Sequence, residues 1–195
     1  MNVIDLSDWN ENVDWSRFID HGIGGIIVKI SEGCTLSELF AKNIAGAAAR
    51  GLPWGVYCFS HAQTTDRAKE EAQTVIDALD TLGYGIPDLG IWLDIEAPEV
   101  VGQNADDVTA ICSAFISVCN AAGYSAGIYA SLSTLTDCIN VNELADYVPY
   151  WCAQYAEKCD FLDYYPDNRL VGWQCTDSYI IDGNTYDLSV WYQGG

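Results

Sequence analysis

A chain of 195 residues, half of them hydrophobic and with a mean hydropathy near zero, is long enough for one folded domain with its own core. Twenty-eight acidic against eight basic residues give a formal charge of −20. That balance excludes a phosphate-binding surface for nucleic acid and attraction to an anionic membrane, while a neutral glycan remains compatible; no apolar run is long enough to span a bilayer.

Val3 to Ser7 reads as a short opening strand that carries Asp5 near its end. Asp14 is a good N-cap for a short helix ending near Gly22. The β-branched run from Gly24 to Ile30 predicts a buried strand that delivers Lys29, Ser31 and Glu32 to its C-terminal end. A helix from about Leu36 to Arg50 follows, then a strand from Trp54 to Ser60. Thr65 or Asp66 caps a long helix, with Ala68, Ala72, Val75, Ile76 and Leu79 at helical spacing. The apolar stretch from Leu89 runs as a strand up to Asp94 and Glu96. Asp106 to Ala122 is helical, Ser125 to Ala130 is a strand, and an irregular stretch follows. Strands over Tyr150–Tyr155, Leu170–Cys175 and Thr185–Val190 close the chain. Strands alternating with helices imply a parallel sheet, and about eight strands in this length imply an α/β barrel whose last part has lost its helices. With no linker or repeat, residues 1–195 are expected to form a single domain, with Gly194-Gly195 the one boundary-like feature.

Eight cysteines without a C-x-x-C, and only two histidines, give no zinc spacing, and neither a metal nor a cofactor is expected. Cys112 and Cys119 lie seven apart on a helix, about 10 Å at 1.5 Å per residue, too far for a disulfide. Mostly free thiols in a reducing or anaerobic setting are expected. The opening Met-Asn-Val-Ile-Asp has no basic region and no apolar leader. The expectation is a protein that, if it acts outside a cell, leaves the cytoplasm by another route, or a trimmed secreted form.

Asp94 and Glu96 are spaced i, i+2, so on a strand they face the same way. Two carboxylates held together in a partly dry site repel, one pKa rises, and one acid can donate a proton while its neighbour stays charged. That pairing suits cleavage of a glycosidic bond, although a D-x-E at an exposed strand end with two solvated acids is the plain alternative. Acids also stand at the ends of the first strand (Asp5), the second (Glu32) and the last (Asp187). In a parallel barrel those ends share one face, and the first and last strands become neighbours on closure, placing Asp5 beside Asp187. Tyr57, Phe59, Tyr129, Trp151, Gln154, Tyr155, Trp173 and Gln174 join them from other strand ends, the flat rings and amides that a sugar groove needs.

The order and spacing of these motifs resemble glycoside hydrolase family 25, the Chalaropsis-type lysozymes of bacteria and phage endolysins. The resemblance runs through Ile4-Asp5-Leu6-Ser7, Val13-Asp14-Trp15, Ile27 to Gly33, Phe40-Ala41-Lys42-Asn43, Gly51 to Tyr57 and Leu93-Asp94-Ile95-Glu96. It continues in Gly127-Ile128-Tyr129, Ala153-Gln154-Tyr155, Gly172-Trp173-Gln174 and Tyr186-Asp187-Leu188-Ser189. The chain departs from the family at Cys58, where a His is usual, and at Trp9, where a Gln is usual. The resemblance implies a (β/α)5β3-type barrel and hydrolysis of the β-1,4 bond between N-acetylmuramic acid and N-acetylglucosamine in peptidoglycan. It matches Glu96 to the general acid, Asp94 to the partner carboxylate, and Asp5 and Asp187 to the other two acids. Asp94 then either attacks the sugar or orients its 2-acetamido group. A monomer is expected, acting on the bacterial cell wall, with a separate wall-binding module beyond its C-terminus. A non-catalytic glycan-binding barrel is the alternative in another class, and a hydrolase of another N-acetylated polysaccharide such as chitin the alternative in substrate. The run of alternating Asp before the Glu expected for a chitinase is absent, since Ile91-Trp92-Leu93 precedes Asp94.

Overall fold

The computed structural model describes residues 1–192; the boundary expected at Gly194-Gly195 lies outside the described residues. Strand β1 (Asn2–Leu6) and helix α1 (Trp15–Asp20) lead into β2 (Ile23–Glu32), a two-residue β3 (Thr35–Leu36) and α2 (Phe40–Ala48). Then come β4 (Trp54–Phe59), α3 (Thr65–Leu82), β5 (Ile91–Asp94), α4 (Pro98–Val101) and α5 (Ala105–Ala121). The chain continues through β6 (Ala126–Ser131), α6 (Leu132–Asp137), β7 (Pro149–Ala153), α7 (Phe161–Tyr164), β8 (Arg169–Ile181) and β9 (Asn184–Trp191). Strand β1 pairs with both β2 and β9, which closes eight strands into a barrel, with β3 added to the end of β2. Apart from β3, which pairs antiparallel with β2, the strands from β1 through β8 pair in parallel around the wall.

The last strand departs from the expected parallel arrangement. β9 runs antiparallel to both β8 and β1, because only Asp182 and Gly183 separate it from β8. Both turn residues have positive φ, 49° and 85°, the geometry of a type I′ hairpin, and an Asp-Gly pair tolerates it. Asp187 therefore lies at the mouth from within a descending strand, not at a C-terminal strand end. The helix expected from Leu36 begins only at Phe40, since Thr35 and Leu36 pair back onto Glu32 and Ser31 as a short hairpin. The stretch expected to be irregular after β6 contains α6, capped by the Ser131 side chain accepting from the Thr134 N–H.

Two apolar layers result. The larger lies between the wall and the helices and includes Ile4, Ile26, Val56, Leu93 and Ile128 from the strands, packed against α3 and α5. The smaller fills the barrel: Val3, Ile27, Trp92, Tyr129, Trp151 and Trp191 belong to it. The rings of Trp92, Trp151 and Trp191 meet edge-on at 5.4–5.9 Å and plug the floor. Their buried polar edges are satisfied, Trp92 Nε1 donating to the Leu89 carbonyl at 2.7 Å and Trp151 Nε1 to Ser189 Oγ at 2.9 Å. Gly127 and Gly172 leave the room these indoles occupy. Above this plug, the same inward faces carry polar groups. All eight cysteines are free thiols, with Cys58, Cys112, Cys119 and Cys152 fully buried as small core residues. No helix is long and apolar enough to cross a membrane among the described residues.

Candidate active site

The parallel wall delivers its strand ends to one mouth. Asp94 is the last residue of β5, and Glu96 follows two residues on, past the strand end. Asp5 of β1 stands directly opposite Asp187 of β9 in the ladder. All four carboxylates line a single pocket of about 220 Å³ together with Ser7, Trp9, Lys29, Tyr57, Phe59, Tyr129 and Trp151. The depths differ. Asp94 is buried, and its Oδ1 has no hydrogen-bond partner among the described residues; Glu96 is exposed at the rim.

Gln174 is the buried hub of this site. Its Nε2 donates to Asp5 at 3.1 Å and to Asp187 at 3.4 Å. Its Oε1 accepts from the hydroxyls of Tyr129 at 2.9 Å and Tyr155 at 3.0 Å. One amide thus links two acids to two phenols and fixes its own orientation.

The electrostatics follow from crowding. Burial and then the neighbouring Asp187 hold the Asp5 carboxyl well above the usual carboxylate range. Asp94 is raised well above it by burial, then by Glu96 and Asp5, with the Lys29 ammonium opposing. Glu96 is raised by burial and then by Asp187, while the nearby Tyr129 hydroxyl favours its ionised form. Asp187 is raised by burial and then by Asp177. A carboxyl that is harder to ionise when folded binds its proton more tightly than the unfolded chain does. Stability from such a group is complete below the ordinary carboxylate pKa of about 4 and is lost as pH rises through the folded value. Asp94→Asn removes one repelling charge from the cluster. The variant is expected to melt above the parent at pH 7, by about 1–2 kcal/mol in stability, with the gap closing as pH falls toward 4. Melting curves across that range test this, and a gap that is constant with pH would contradict the repulsion.

The ten residues expected to bind substrate divide into four groups. Lys29, Tyr57, Phe59, Tyr129 and Trp151 line the pocket, Trp151 as part of its buried floor. Gln174 sits behind the acids and bonds Asp5 and Asp187, and Tyr155 supports it by donating to its Oε1. Gln154 and Trp173 turn away: the Gln154 side chain bonds Asp160 in the following loop, and Trp173 Nε1 donates to the Gln154 carbonyl at 2.7 Å. Glu32 lies outside the acid pocket, in an adjoining cleft of about 840 Å³. There it accepts from Lys29 Nζ at 2.6 Å and bonds His61 Nε2 at 3.1 Å, while His61 Nδ1 meets Glu99. That cleft is larger than the acid pocket but holds none of its four carboxylates. Ser7 and Trp9, in the loop after β1, line the pocket without having been expected to; Trp9 is 95% exposed. The signal was an unpaired large ring in a polar stretch two residues beyond the acid-bearing strand. Of the two departures from the family pattern, Trp9 therefore reaches the pocket. Cys58 does not, packing instead in the outer core with its thiol toward the Gly33 carbonyl at 3.7 Å.

A closed α/β barrel with crowded carboxylates at one mouth has the site plan of the barrel glycoside hydrolases. The chain belongs to glycosyl hydrolases family 25, whose model matches residues 4–184. It is similar to an autolytic lysozyme of Clostridium acetobutylicum, 24% identical over 197 aligned positions that cover all of this chain and 56% of the relative. Its fold matches the modular autolysin LytC of Streptococcus pneumoniae, solved in complex with a synthetic peptidoglycan ligand. There the TM-score is 0.87 at 25% identity, over 98% of this chain and 46% of that one. It also matches the catalytic domain of endolysin ply40 from bacteriophage P40 of Listeria monocytogenes, with a TM-score of 0.81 at 21% identity over 99% and 93% of the two chains. The chain thus spans about half the length of the autolytic lysozyme and of LytC.

Proposed function

We propose that this chain is an N-acetylmuramidase that hydrolyses the β-1,4 bond between N-acetylmuramic acid and N-acetylglucosamine in peptidoglycan. The observation that carries the reading is the single pocket holding Asp5, Asp94, Glu96 and Asp187 beneath a rim of aromatic rings. Its volume suits one sugar ring, with Tyr57, Phe59, Tyr129 and Trp9 supplying flat faces against which pyranose C–H groups pack.

Glu96 stands at the exposed rim with its pKa raised, which suits the proton donor to the glycosidic oxygen. As that bond breaks, positive charge grows at the anomeric carbon, over the buried Asp94. The Lys29 ammonium favours the ionised form of Asp94, and Asp94 then stabilises the charge by direct attack or by orienting the 2-acetamido group of the sugar. Glu96, now a carboxylate, takes a proton from the water that completes hydrolysis. Asp5 and Asp187, held by Gln174, set the negative field of the floor. The residues act without a metal or cofactor in this scheme.

Turbidity loss of purified peptidoglycan, with mass analysis of the fragments, tests the reading. New reducing ends at muramic acid are expected, and chitin is expected to be cleaved at least about tenfold more slowly. Binding without release of fragments would move the chain to the non-catalytic class, and chitin cleaved as fast would move the substrate.

The autolytic lysozyme and LytC are about twice as long as this chain, and we infer that a wall-binding module works with it in the whole protein, a phage or prophage endolysin acting on the cell wall as a monomer. The charge supports that division of labour. A surface of −20 is repelled by anionic wall polymers within a screening length of about 8 Å at physiological salt. Lysis of whole walls by these residues alone is expected to rise as salt is raised from about 10 mM to about 150 mM. A steady fall over that range would mean that the acidic surface does not hinder approach.

A further inference from the structure

The cleft of about 840 Å³ beside the acid pocket takes no part in the chemistry proposed above. The two spaces share their walls at three places. In the loop after β1, Ser7 and Trp9 line the pocket, and Asp8 between them lines the cleft. At the end of β2, Lys29 lines the pocket and Glu32 the cleft, and their side chains are bonded at 2.6 Å. After β4, Phe59 lines the pocket and His61 the cleft, with ring centroids 5.2 Å apart. The cleft is thus a continuation of the pocket past the ends of β2 and β4. Charges of both signs face it. Lys42 of α2 and Arg67 of α3 are exposed there, as are Glu11 and Glu38. Lys42 Nζ donates to the Glu11 backbone carbonyl at 2.5 Å and Arg67 Nη1 to Glu70 at 2.8 Å, and each cation keeps further N–H groups to give. Leu36 and Leu39 add apolar surface.

A muramic acid ring seated over Asp94 carries a lactyl-linked peptide on the carbon next to the one that bears its 2-acetamido group. A pocket of about 220 Å³ that is filled by one sugar ring has no room for that peptide, so the peptide must leave through a side of the pocket. We propose that the adjoining cleft is the binding site for the peptide stem of the substrate, a short chain with free carboxylates and, on its diamino acid, a free ammonium. The proposal rests on the muramidase reading. Lys42 and Arg67 meet the carboxylates, Glu11 and Glu38 meet the ammonium, and Leu36 and Leu39 pack against the alanine methyl groups. The volume lies within the range of about 300–1,000 Å³ that small-ligand sites occupy. The mixed signs also suit a protein of charge −20, since a ligand carrying both charges finds partners here that a purely anionic polymer does not find on the rest of the surface. Exposed ion pairs are individually weak, so the gain comes from several contacts made by one tethered ligand.

The test is calorimetric titration of the full chain with two probes, the disaccharide N-acetylglucosaminyl-N-acetylmuramic acid and the same disaccharide carrying its tetrapeptide stem. Neither probe contains the bond that a muramidase cleaves, so binding is read without turnover. The peptide-bearing probe is expected to bind at least about tenfold more tightly. Replacing both cations, Lys42→Ala with Arg67→Ala, is expected to bring the two affinities within about threefold of each other. Equal affinity of the parent chain for the two probes, including no measurable binding of either, would overturn the proposal, and so would a gain that the double variant keeps in full. Both substitutions lie on exposed helix surface, and the comparison in the parent chain stands by itself if the variant does not fold. Cleavage of peptidoglycan without a gain from the peptide removes the cleft alone. A gain from the peptide in a chain that cleaves nothing keeps the cleft and removes the muramidase reading.

Discussion

Glu96→Gln is expected to lower the rate of peptidoglycan cleavage by about 10³-fold while leaving the fold in place. The amide keeps the shape of the side chain, but it has no proton of suitable acidity for the leaving oxygen. The side chain is exposed at the rim, so little packing changes. Removing a carboxylate that burial and Asp187 already disfavour leaves stability within about 1 kcal/mol of the parent, or slightly above it. Fragment release measured beside a thermal melt separates the two effects. Turnover within tenfold of the parent would remove Glu96 from the donor role, whereas lost turnover with a lowered melting temperature would show that Glu96 had been needed for the fold. Asp94→Asn gives a different signature, because Asp94 lies deeper and acts as a charge. Its loss of rate is expected to come with a gain in stability at neutral pH.

Gly127→Ala is expected to be the most damaging small substitution in the barrel. A Cβ at this position would lie 2.4 Å from the Pro149 carbonyl oxygen and 2.6 Å from a ring carbon of Trp92. The first contact is backbone of the neighbouring strand, fixed by the β6–β7 ladder. The second belongs to the tryptophan plug, which is held by Trp151 and Trp191 on the other side. Neither neighbour has free space to yield into, so the methyl group forces the strands apart. A loss of about 3 kcal/mol is expected, lowering the melting temperature by ~6–12 °C in a domain of this size. Denaturant unfolding of the variant measures it directly, and a loss below about 1 kcal/mol would show that the plug is loosely packed.

The barrel and the acid pair of β5 were legible for one physical reason: a strand buried on both faces must be apolar throughout, so a carboxylate such as Asp94 stands out where the apolar run meets the mouth. The neighbouring placement of Asp5 and Asp187 followed from closure alone. The direction of β9 was hidden because an apolar run reads alike in either sense. The Asp182-Gly183 pair, the local signal for a hairpin, carried the answer. The roles of Gln154 and Trp173 were hidden because position on a strand end does not say where a side chain finds its partner, and these two bond to each other and to Asp160. Trp9 was missed for the opposite reason, since a residue in a loop has no periodicity from which a direction can be read.

Closure of the wall by β1 and β9 has a consequence for how the chain is made. Asn2–Leu6 emerges from the ribosome before the rest of the barrel, yet one edge of it pairs with Asn184–Trp191, so that edge waits while everything between is translated. During that interval an apolar strand with unpaired backbone groups is open to self-association, and the β2 pairing covers only its other side. Barrel closure during synthesis must wait for the β8–β9 hairpin, which brings Asp187 opposite Asp5 and completes the four-acid pocket. Under this order a partly synthesised chain already holds Asp94 and Glu96 but cannot yet assemble the whole pocket inside the cell that makes it.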